Sequence, residues 1–440
     1  MNNQTNTCIL KLRFPEFRNA PEWELTSLGT KAIKIGSGIT PNGGEKNYKN
    51  TGRPFVRSQN IGWGYLILDD IVFIDDTTHS KFSATEIKSG DVFLNITGAS
   101  IGRSAVANYS VQGGNVNQHV CIIRTKQTEL KPFFLNQYLL SQDGQKQIDS
   151  FQVGGNRQGL NFAQIRSFCL PLTSIEEQQK IADCLSSIDE LITAQTQKLD
   201  TLKTHKKGLM QQLFPAEGET VPKLRFPEFL DAGEWEEKTI QTLIDENIII
   251  GHLDGNHGEL YPKAEEFSQN GIPYISANDF IAGVVEFGKC KRIPMQRASQ
   301  FKKGVAKDGD ILFAHNATVG PVAKLNTDLP FVILSTTATY YRCDNDLLIN
   351  DFLRFSITSQ YFIQQYSKVM SQSTRNQVPI TTQRKFFINL PNPNEQRKIA
   401  DCLASVDALI AAQAQKIEAL KQHKKGLMQQ LFPAAEEVAG

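Results

Sequence analysis

The chain has 440 residues, and at about 150 residues per domain that predicts two to four domains rather than one module. Hydrophobic residues make up 40% and charged residues 21%, with 31 Gly and 18 Pro, which excludes collagenous and disordered classes and predicts ordinary cores. Forty-seven Lys and Arg balance 46 Asp and Glu, so any nucleic-acid binding has to come from local basic patches rather than a basic coat.

The seven cysteines, at 8, 121, 169, 184, 290, 343 and 402, form no C-x-x-C pair, so neither a zinc ribbon nor a disulfide framework is indicated and a reducing compartment is expected. The first ten residues lack a basic start and a long apolar run, and no 18 apolar residues follow one another. A cytoplasmic location without membrane association is the expectation.

In chain order the first marked element is Lys11 to Phe17, KLRFPEF, followed by Glu22-Trp23-Glu24; both recur at Lys223 to Phe229 and Glu234-Trp235-Glu236. Asp70 to Ile74 and Val120 to Ile123 are β-branched runs between Gly, Asn and Asp clusters and predict short strands, as does Phe331 to Leu334 in the second half. Lys131 to Ser150 and Leu347 to Met370 predict helical segments. Each variable segment, 18 to 172 and 230 to 391, is therefore expected to be α/β (α+β) with an irregular twisted sheet. The two share a faint skeleton: Pro54 to Asn60 parallels Pro273 to Asp279, and Gly90-Asp91-Val92-Phe93-Leu94 parallels Gly309-Asp310-Ile311-Leu312-Phe313.

Glu177 to Ala216 recurs at Glu395 to Ala434 with 30 of 40 residues identical, so the chain is a tandem duplication of variable and constant parts. The constant blocks carry a 4-3 apolar spacing: Ile181, Leu185, Ile188, Ile192, Leu199 and Leu202 in the first, Ile399, Leu403, Val406, Ile410, Ile417 and Leu420 in the second. That is a coiled-coil seam. Ser174 with Glu177, and Asn392-Pro393 with Glu395, predict capped helix starts. Lys206-Lys207-Gly208 and Lys424-Lys425-Gly426 predict helix ends or bends. Two such helices on one chain are expected to pair antiparallel, as a rod of about 50 to 60 Å with approximate twofold symmetry and a variable domain at each end. The expected boundaries are 1–172, 173–216, 217–391 and 392–440.

Catalytic signatures are few. Gly98 to Ser104 comes near a phosphate-binding loop but has no lysine. His252 and His257 stand five apart and are expected to be loop histidines. Asp76 with Glu86-Ile87-Lys88 could imitate a nuclease metal site, although the second copy has no counterpart. No Asn/Asp-Pro-Pro-aromatic motif of an adenine methyltransferase is present, and Cys184 and Cys402 are expected to pack in the core.

Recognition remains. Basic residues cluster at 31, 34, 46, 49, 53 and 57 against one acid, and at 289, 291, 292, 297, 302, 303 and 307 against none. Such clusters suit phosphate contacts, while Asn, Gln and Arg on loops read base edges. The candidate loops are 113–119 (GGNVNQH), 154–161 (GGNRQGLN), 315–320 (HNATVG) and 371–377 (SQSTRNQ). The candidate DNA-binding residues are Lys31, Lys34, Arg57, Asn60, Arg103, Asn117, Gln118, Asn156, Arg157 and Gln158 in the first domain. In the second they are Ser276, Asn278, Lys291, Arg292, Asn316, Arg375, Asn376 and Gln377.

The order of variable domain, constant helix, variable domain, constant helix, the openings Glu177-Gln178-Gln179-Lys180-Ile181-Ala182 and Glu395-Gln396-Arg397-Lys398-Ile399-Ala400, and the Gly-Asp-hydrophobic strands at 90 and 309 resemble specificity subunits of Type I restriction-modification enzymes over nearly the whole chain. The resemblance implies a non-catalytic subunit that binds a bipartite DNA target, one half-site per domain. It also implies two methyltransferase and two restriction subunits as partners in a bacterial cytoplasm. S-adenosylmethionine, ATP and Mg2+ would belong to those partners, with no cofactor or metal on this chain. A self-sufficient restriction or methylation enzyme and a non-specific or protein-only architectural scaffold are the alternatives. KLRFPEF is expected either to seat each domain on the rod or to contact the partner.

Overall fold

The computed structural model of the protein describes residues 11–41, 43–152 and 159–433. They divide into two compact units, one made of the chain up to Gln197 with the segment from Ala414 onward, the other of Lys198–Gln413. Each long helix therefore contributes to both units.

In the first unit, strands Ala32–Ser37, Val120–Thr125, Val92–Asn95 and Ser104–Val106 form an antiparallel sheet in that spatial order. A second sheet places Arg53–Val56 between Val72–Ile74 (antiparallel) and Asn115–Val116 (parallel). The same plan recurs in the second unit. There Ile249–Asp254, Ala338–Cys343, Ile311–Asn316 and Thr318–Lys324 continue into the hairpin Phe280–Ile281/Val284–Val285, and Ile272–Ile275 lies between Lys291–Ile293 and Val332–Leu334. The Gly-Asp-hydrophobic runs open the strands Val92–Asn95 and Ile311–Asn316. Asp91 is 1% exposed, takes the Lys88 N–H at 2.8 Å and is gripped by Arg124 at 2.7 and 2.8 Å. Asp310 does the same with Lys307 and Arg342. A buried charge needs such full pairing.

The two constant blocks are helices Ile175–Leu213 and Pro393–Leu431, each 39 residues long. They run straight through Gly208 and Gly426, so the Lys-Lys-Gly triplets end no helix. A helical glycine costs about 1 kcal/mol. Burying the Leu-Phe pair beyond each glycine, roughly 1.5 to 3 kcal/mol per side chain, outweighs that. Leu213-Phe214 enter the core of the second unit and Leu431-Phe432 that of the first. Phe432 packs on Trp23, Phe134 and Tyr138 with centroids 6.5, 5.4 and 5.5 Å away, and Phe214 on Trp235 and Phe352 at 6.2 and 5.5 Å.

Inside the first unit Lys424 pairs with Asp189 at 2.7 Å, and inside the second Lys206 pairs with Asp407 at 2.5 Å. Of the seam residues, Ile181, Leu185, Ile399 and Leu403 belong to the domain cores as well. Val406 and Ile417 are buried, whereas Ile188, Ile192, Leu199, Leu202, Ile410 and Leu420 are half-buried. At the start of each helix the seam residues thus seat the domain.

Only half of each expected capping box forms. Ser174 and Asn392 accept the Glu177 and Glu395 N–H groups at 3.3 and 3.0 Å. The glutamate side chains turn instead to KLRFPEF: Arg13 grips Glu177 at 2.8 and 2.7 Å, and Arg225 grips Glu395 at 2.8 and 2.8 Å. Leu12 and Leu224 donate backbone N–H groups to Gln430 and Gln212. KLRFPEF therefore ties the start of one constant helix to the end of the other, which is the seating role.

The expected helix 131–150 is broken at Ser141 into Pro132–Leu140 and Gln142–Ser150, and 347–370 into Asn350–Ser356 and Gln360–Ser371. Ser141 and Ser359 cap the second piece in each case, accepting the Gly144 and Phe362 N–H groups. His252 is no loop histidine: it sits in the strand Ile249–Asp254, 5% exposed, where a hydrogen bond to Gln383 and a ring contact with Tyr341 make a buried imidazole tolerable. Among the described residues no helix is long and apolar enough to cross a membrane.

Candidate nucleic-acid interface

Strand ends of the first unit bring three loops together. Ser58 and Gln59 come from the turn after Arg53–Val56, Thr97 to Ser100 and Arg103 from the hairpin between Val92–Asn95 and Ser104–Val106, and His119 from the turn before Val120–Thr125. They line an open groove of about 400 Å³. Gly98 to Ser104, the near phosphate loop, is thus a hairpin between antiparallel strands, with no helix behind it to cradle a nucleotide. His119 Nδ1 lies 2.6 Å from Thr97 Oγ1, and the Gln118 amide reaches His119 Nε2 at 3.4 Å. The amide N–H is a donor, so Nε2 accepts and Nδ1–H points to the threonine. Arg103 has no ion pair or hydrogen bond from its side chain among the described residues, and its guanidinium is available to the groove.

The equivalent loops of the second unit carry other side chains. Ser276 and Asn278 occupy the place of Arg57 and Gln59, and Asn316 that of Thr97. Thr97 bridges Gly159, while Asn316 bridges Gln377, whose neighbour Asn376 accepts the Ala317 N–H at 3.0 Å. Asn278, Arg375 and Asn376 are exposed and Asn316 half-exposed. One backbone frame thus presents Gln, Ser, Thr, Arg and His on one unit and Ser, Asn, Arg and Gln on the other.

Several candidates lie elsewhere in the structure. Asn60 is a correction: fully buried, it accepts the Arg57 N–H at 2.9 Å and donates to Ile67 O and Asp70, a brace matched by Asp279 on Ser276. Asn117 is likewise buried and accepts the His119 N–H. The reason is common to both: a turn closed by a side chain needs an Asn or Asp oxygen facing inward. Arg57 is held by Asp70 and stacks on Tyr48, and Lys31 pairs with Glu129 at 2.7 Å. Lys34 bonds the Ala84 carbonyl; burial, with the charge of Arg124, pulls its ammonium below the ordinary range. Lys291 and Arg292 lie on an edge strand, Lys291 over Phe267 at 4.8 Å and Arg292 on Gly271 O. Asn156, Arg157 and Gln158 lie outside the described residues. Sequence reasoning missed Gln59 and Ser100, and it named the loop that ends at His119 without singling out the histidine.

The nuclease-like trio is not brought together as a metal site. Asp76 takes Arg53 at 2.6 Å and Glu86 lies 3.2 Å from His79 Nε2. Among the described residues no group of three His, Cys, Asp or Glu could hold a metal ion.

Comparison with known proteins places these observations in a family. The putative type I restriction enzyme MjaX specificity subunit of Methanocaldococcus jannaschii is 24% identical over 425 residues, covering 95% of this chain and 94% of that protein. The MjaVIII specificity subunit of the same organism is 26% identical over 271 residues, 60% and 61% of the two chains. In fold, the S subunit of a Type-I restriction-modification system from M. genitalium superposes with a TM-score of 0.60 at 15% identity, over 97% of this chain and 99% of that one. A chain from a structure of type I R-M complex assembly and conformational transition gives 0.55 at 18% identity, over 94% and 98%. The family model described as "Type I restriction modification DNA specificity domain" matches twice, at residues 22–204 and 235–422, and the chain accordingly belongs to that family, carrying two copies of its domain in tandem.

Proposed function

We propose that the chain reads a bipartite DNA target, with the loop groove of each unit on one half-site, and that it positions partner subunits that do the chemistry. The observation that carries this reading is the repetition of one loop frame with different polar side chains, because a reader of two unlike half-sites needs the same approach to DNA twice and different base contacts. Arg103, Gln59, Gln118 and His119 read one half, and Asn278, Asn316, Arg375, Asn376 and Gln377 the other. Arg pairs bidentately with guanine and Asn or Gln with adenine, each good pair worth about 1 to 3 kcal/mol of discrimination. Lys291 and Arg292, with Lys31, Lys34 and Arg57, serve affinity more than sequence, since phosphate contacts position without specifying. On this reading residues 1–172 and 217–391 are the recognition domains, and 173–216 and 392–440 the constant helices.

The near-identical helices offer the same partner surface twice, for two methyltransferase subunits and two restriction subunits in a cytoplasmic complex. Leu191 and Leu409, equivalent and exposed at 41% and 57%, support this. The chain itself is non-catalytic, and S-adenosylmethionine, ATP and Mg2+ belong to the partners.

The test is co-expression with a methyltransferase subunit in a methylation-free host and mapping of N6-methyladenine by single-molecule sequencing. A two-part motif with a fixed gap, lost when this chain is omitted, is the expected result. Co-purification without any motif would favour an architectural scaffold, and methylation by this chain alone a self-sufficient enzyme.

A further inference from the structure

The Lys-Lys-Gly triplets do not end the helices, and the structure shows where their lysines go. In the first unit Lys421, Lys424 and Lys425, with Met428 and Gln429, face Leu140, Ser141, Gln142 and Gln145 across a cavity of about 590 Å³. In the second unit Lys203, Lys206 and Lys207, with Met210 and Gln211, face Thr358, Gln360 and Ile363 across one of about 290 Å³. The same five helix positions line both. The middle lysine of each set is spent on Asp189 or Asp407. The outer ones, Lys203, Lys207, Lys421 and Lys425, are exposed. Among the described residues Lys203, Lys207 and Lys425 form no ion pair, and Lys421 pairs only with Glu418. Outer lysines four apart share one helix face, where like charges weaken a helix, so a pair kept in both copies, with Glu418 on Lys421 as its one acidic partner among the described residues, marks a place for an anion.

The position of each cavity identifies the anion. Gln145, in the wall of the first cavity, donates to Gly102 O at 3.0 Å, and the next residue is Arg103 in the reading groove. In the second unit the Tyr366 hydroxyl, three residues beyond the cavity-lining Ile363, takes the space a Cβ on Gly320 would fill, 2.8 Å away, and Gly320 follows the Asn316 hairpin. In the first unit cavity and groove thus meet at one hairpin, and in the second the helix that lines the cavity touches the equivalent hairpin. We infer that the two lysine-lined cavities bind backbone phosphates of the DNA whose bases the adjoining grooves read, a sequence-independent clamp on the constant helices. The inference rests on the DNA-reading function proposed above.

The test is a quadruple variant of the full chain, Lys203→Gln, Lys207→Gln, Lys421→Gln and Lys425→Gln, against the same four Lys→Arg, with affinity for a fluorescent 40-base-pair duplex of arbitrary sequence measured across salt concentrations. Removing one lysine–phosphate pairing lowers the slope of log affinity against log salt by about 0.9, so the Gln variant should flatten by roughly three to four while the Arg variant stays with the wild type. The methylated motif of the complex should not change. An unchanged slope in the Gln variant, or equal loss in the Arg variant, overturns the clamp, as does loss of methyltransferase co-purification with an intact slope. A wild-type chain that binds no duplex at all would instead overturn the DNA-reading function itself.

Discussion

The two units place opposite chemistry at the same point of one fold. In the first, Ile35, Ile96, Cys121 and Ile165 meet in the core behind the reading loops, all four within 7% exposure. In the second, the matching positions are His252, His315, Thr339 and Gln383, equally buried. They form a chain of hydrogen bonds: His252 Nε2 to Gln383 at 3.3 Å, Gln383 Nε2 to Thr339 at 3.2 Å, and Thr339 to His315 Nδ1 at 2.8 Å. Tyr341, where the first unit has Ile123, adds its hydroxyl to Gln383 at 2.8 Å. An apolar cluster and a satisfied polar network can thus fill the same site under the same backbone, provided no buried group is left unpaired. What both units keep is the frame: the Asp–Arg pairs at 91/124 and 310/342, the Arg–Glu seats at 13/177 and 225/395, and the Trp-Phe contacts with the end of a constant helix.

If the frame is what the units share, breaking it should hurt both alike. Phe432→Ala and Phe214→Ala each empty an aromatic site in a core, a change that costs about 3 to 5 kcal/mol. Phe432→Ala should lower hydrogen-exchange protection in the first unit around Trp23, and Phe214→Ala in the second around Trp235. An effect in the opposite unit would mean that the helix ends do not seat the domains as described.

The reading loops are where the units differ, so substitutions there should separate them. Arg103→Ala is expected to relax discrimination at one position of one half-site by about 1 to 3 kcal/mol, and Asn278→Ala at the other half-site. Competition binding against single-base variants of the target checks both, and a change in both halves from either substitution would count against one reader per unit.

Much of the frame is visible in the sequence because it depends on repetition and period. The duplication, the two 39-residue helices, the short strands and the Gly-Asp strand starts follow from local pattern. The Lys-Lys-Gly triplets are misjudged from sequence because such a triplet is a local stop signal, overridden here by burial of Leu and Phe five or six residues further on. Asn60 is misjudged for the reverse reason. A loop asparagine presents the same letters whether its amide faces solvent or closes its own turn, and only the register of Ile67 and Asp70 against it decides. The buried network has no sequence signal, since His252 and Gln383 are 131 residues apart and meet only in the folded core.

That network also makes the units unequal in acid. His252 donates from Nε2 to Gln383 and accepts at Nδ1 from Arg384 Nε at 3.5 Å, so the second proton would arrive facing a guanidinium. Burial above all, then the charges of Arg384 and His315, pulls its pKa down to about 3, against the raising effect of the Gln383 bond. Burial likewise lowers His315 and His257. A histidine held neutral in the folded state takes its proton only on unfolding, so the unfolded state binds more protons between about pH 6.5 and the folded pKa, and stability falls as pH falls through that window. His252 alone should cost about 1 kcal/mol between pH 7 and pH 5.5. His252→Phe, which leaves Gln383 its bonds to Tyr341, Thr339 and Val378, should flatten that decline in the second unit and leave the first unchanged. Urea midpoints followed by hydrogen exchange at the two pH values decide it: an equally steep decline in the variant would show that His252 takes up no proton on unfolding in this range.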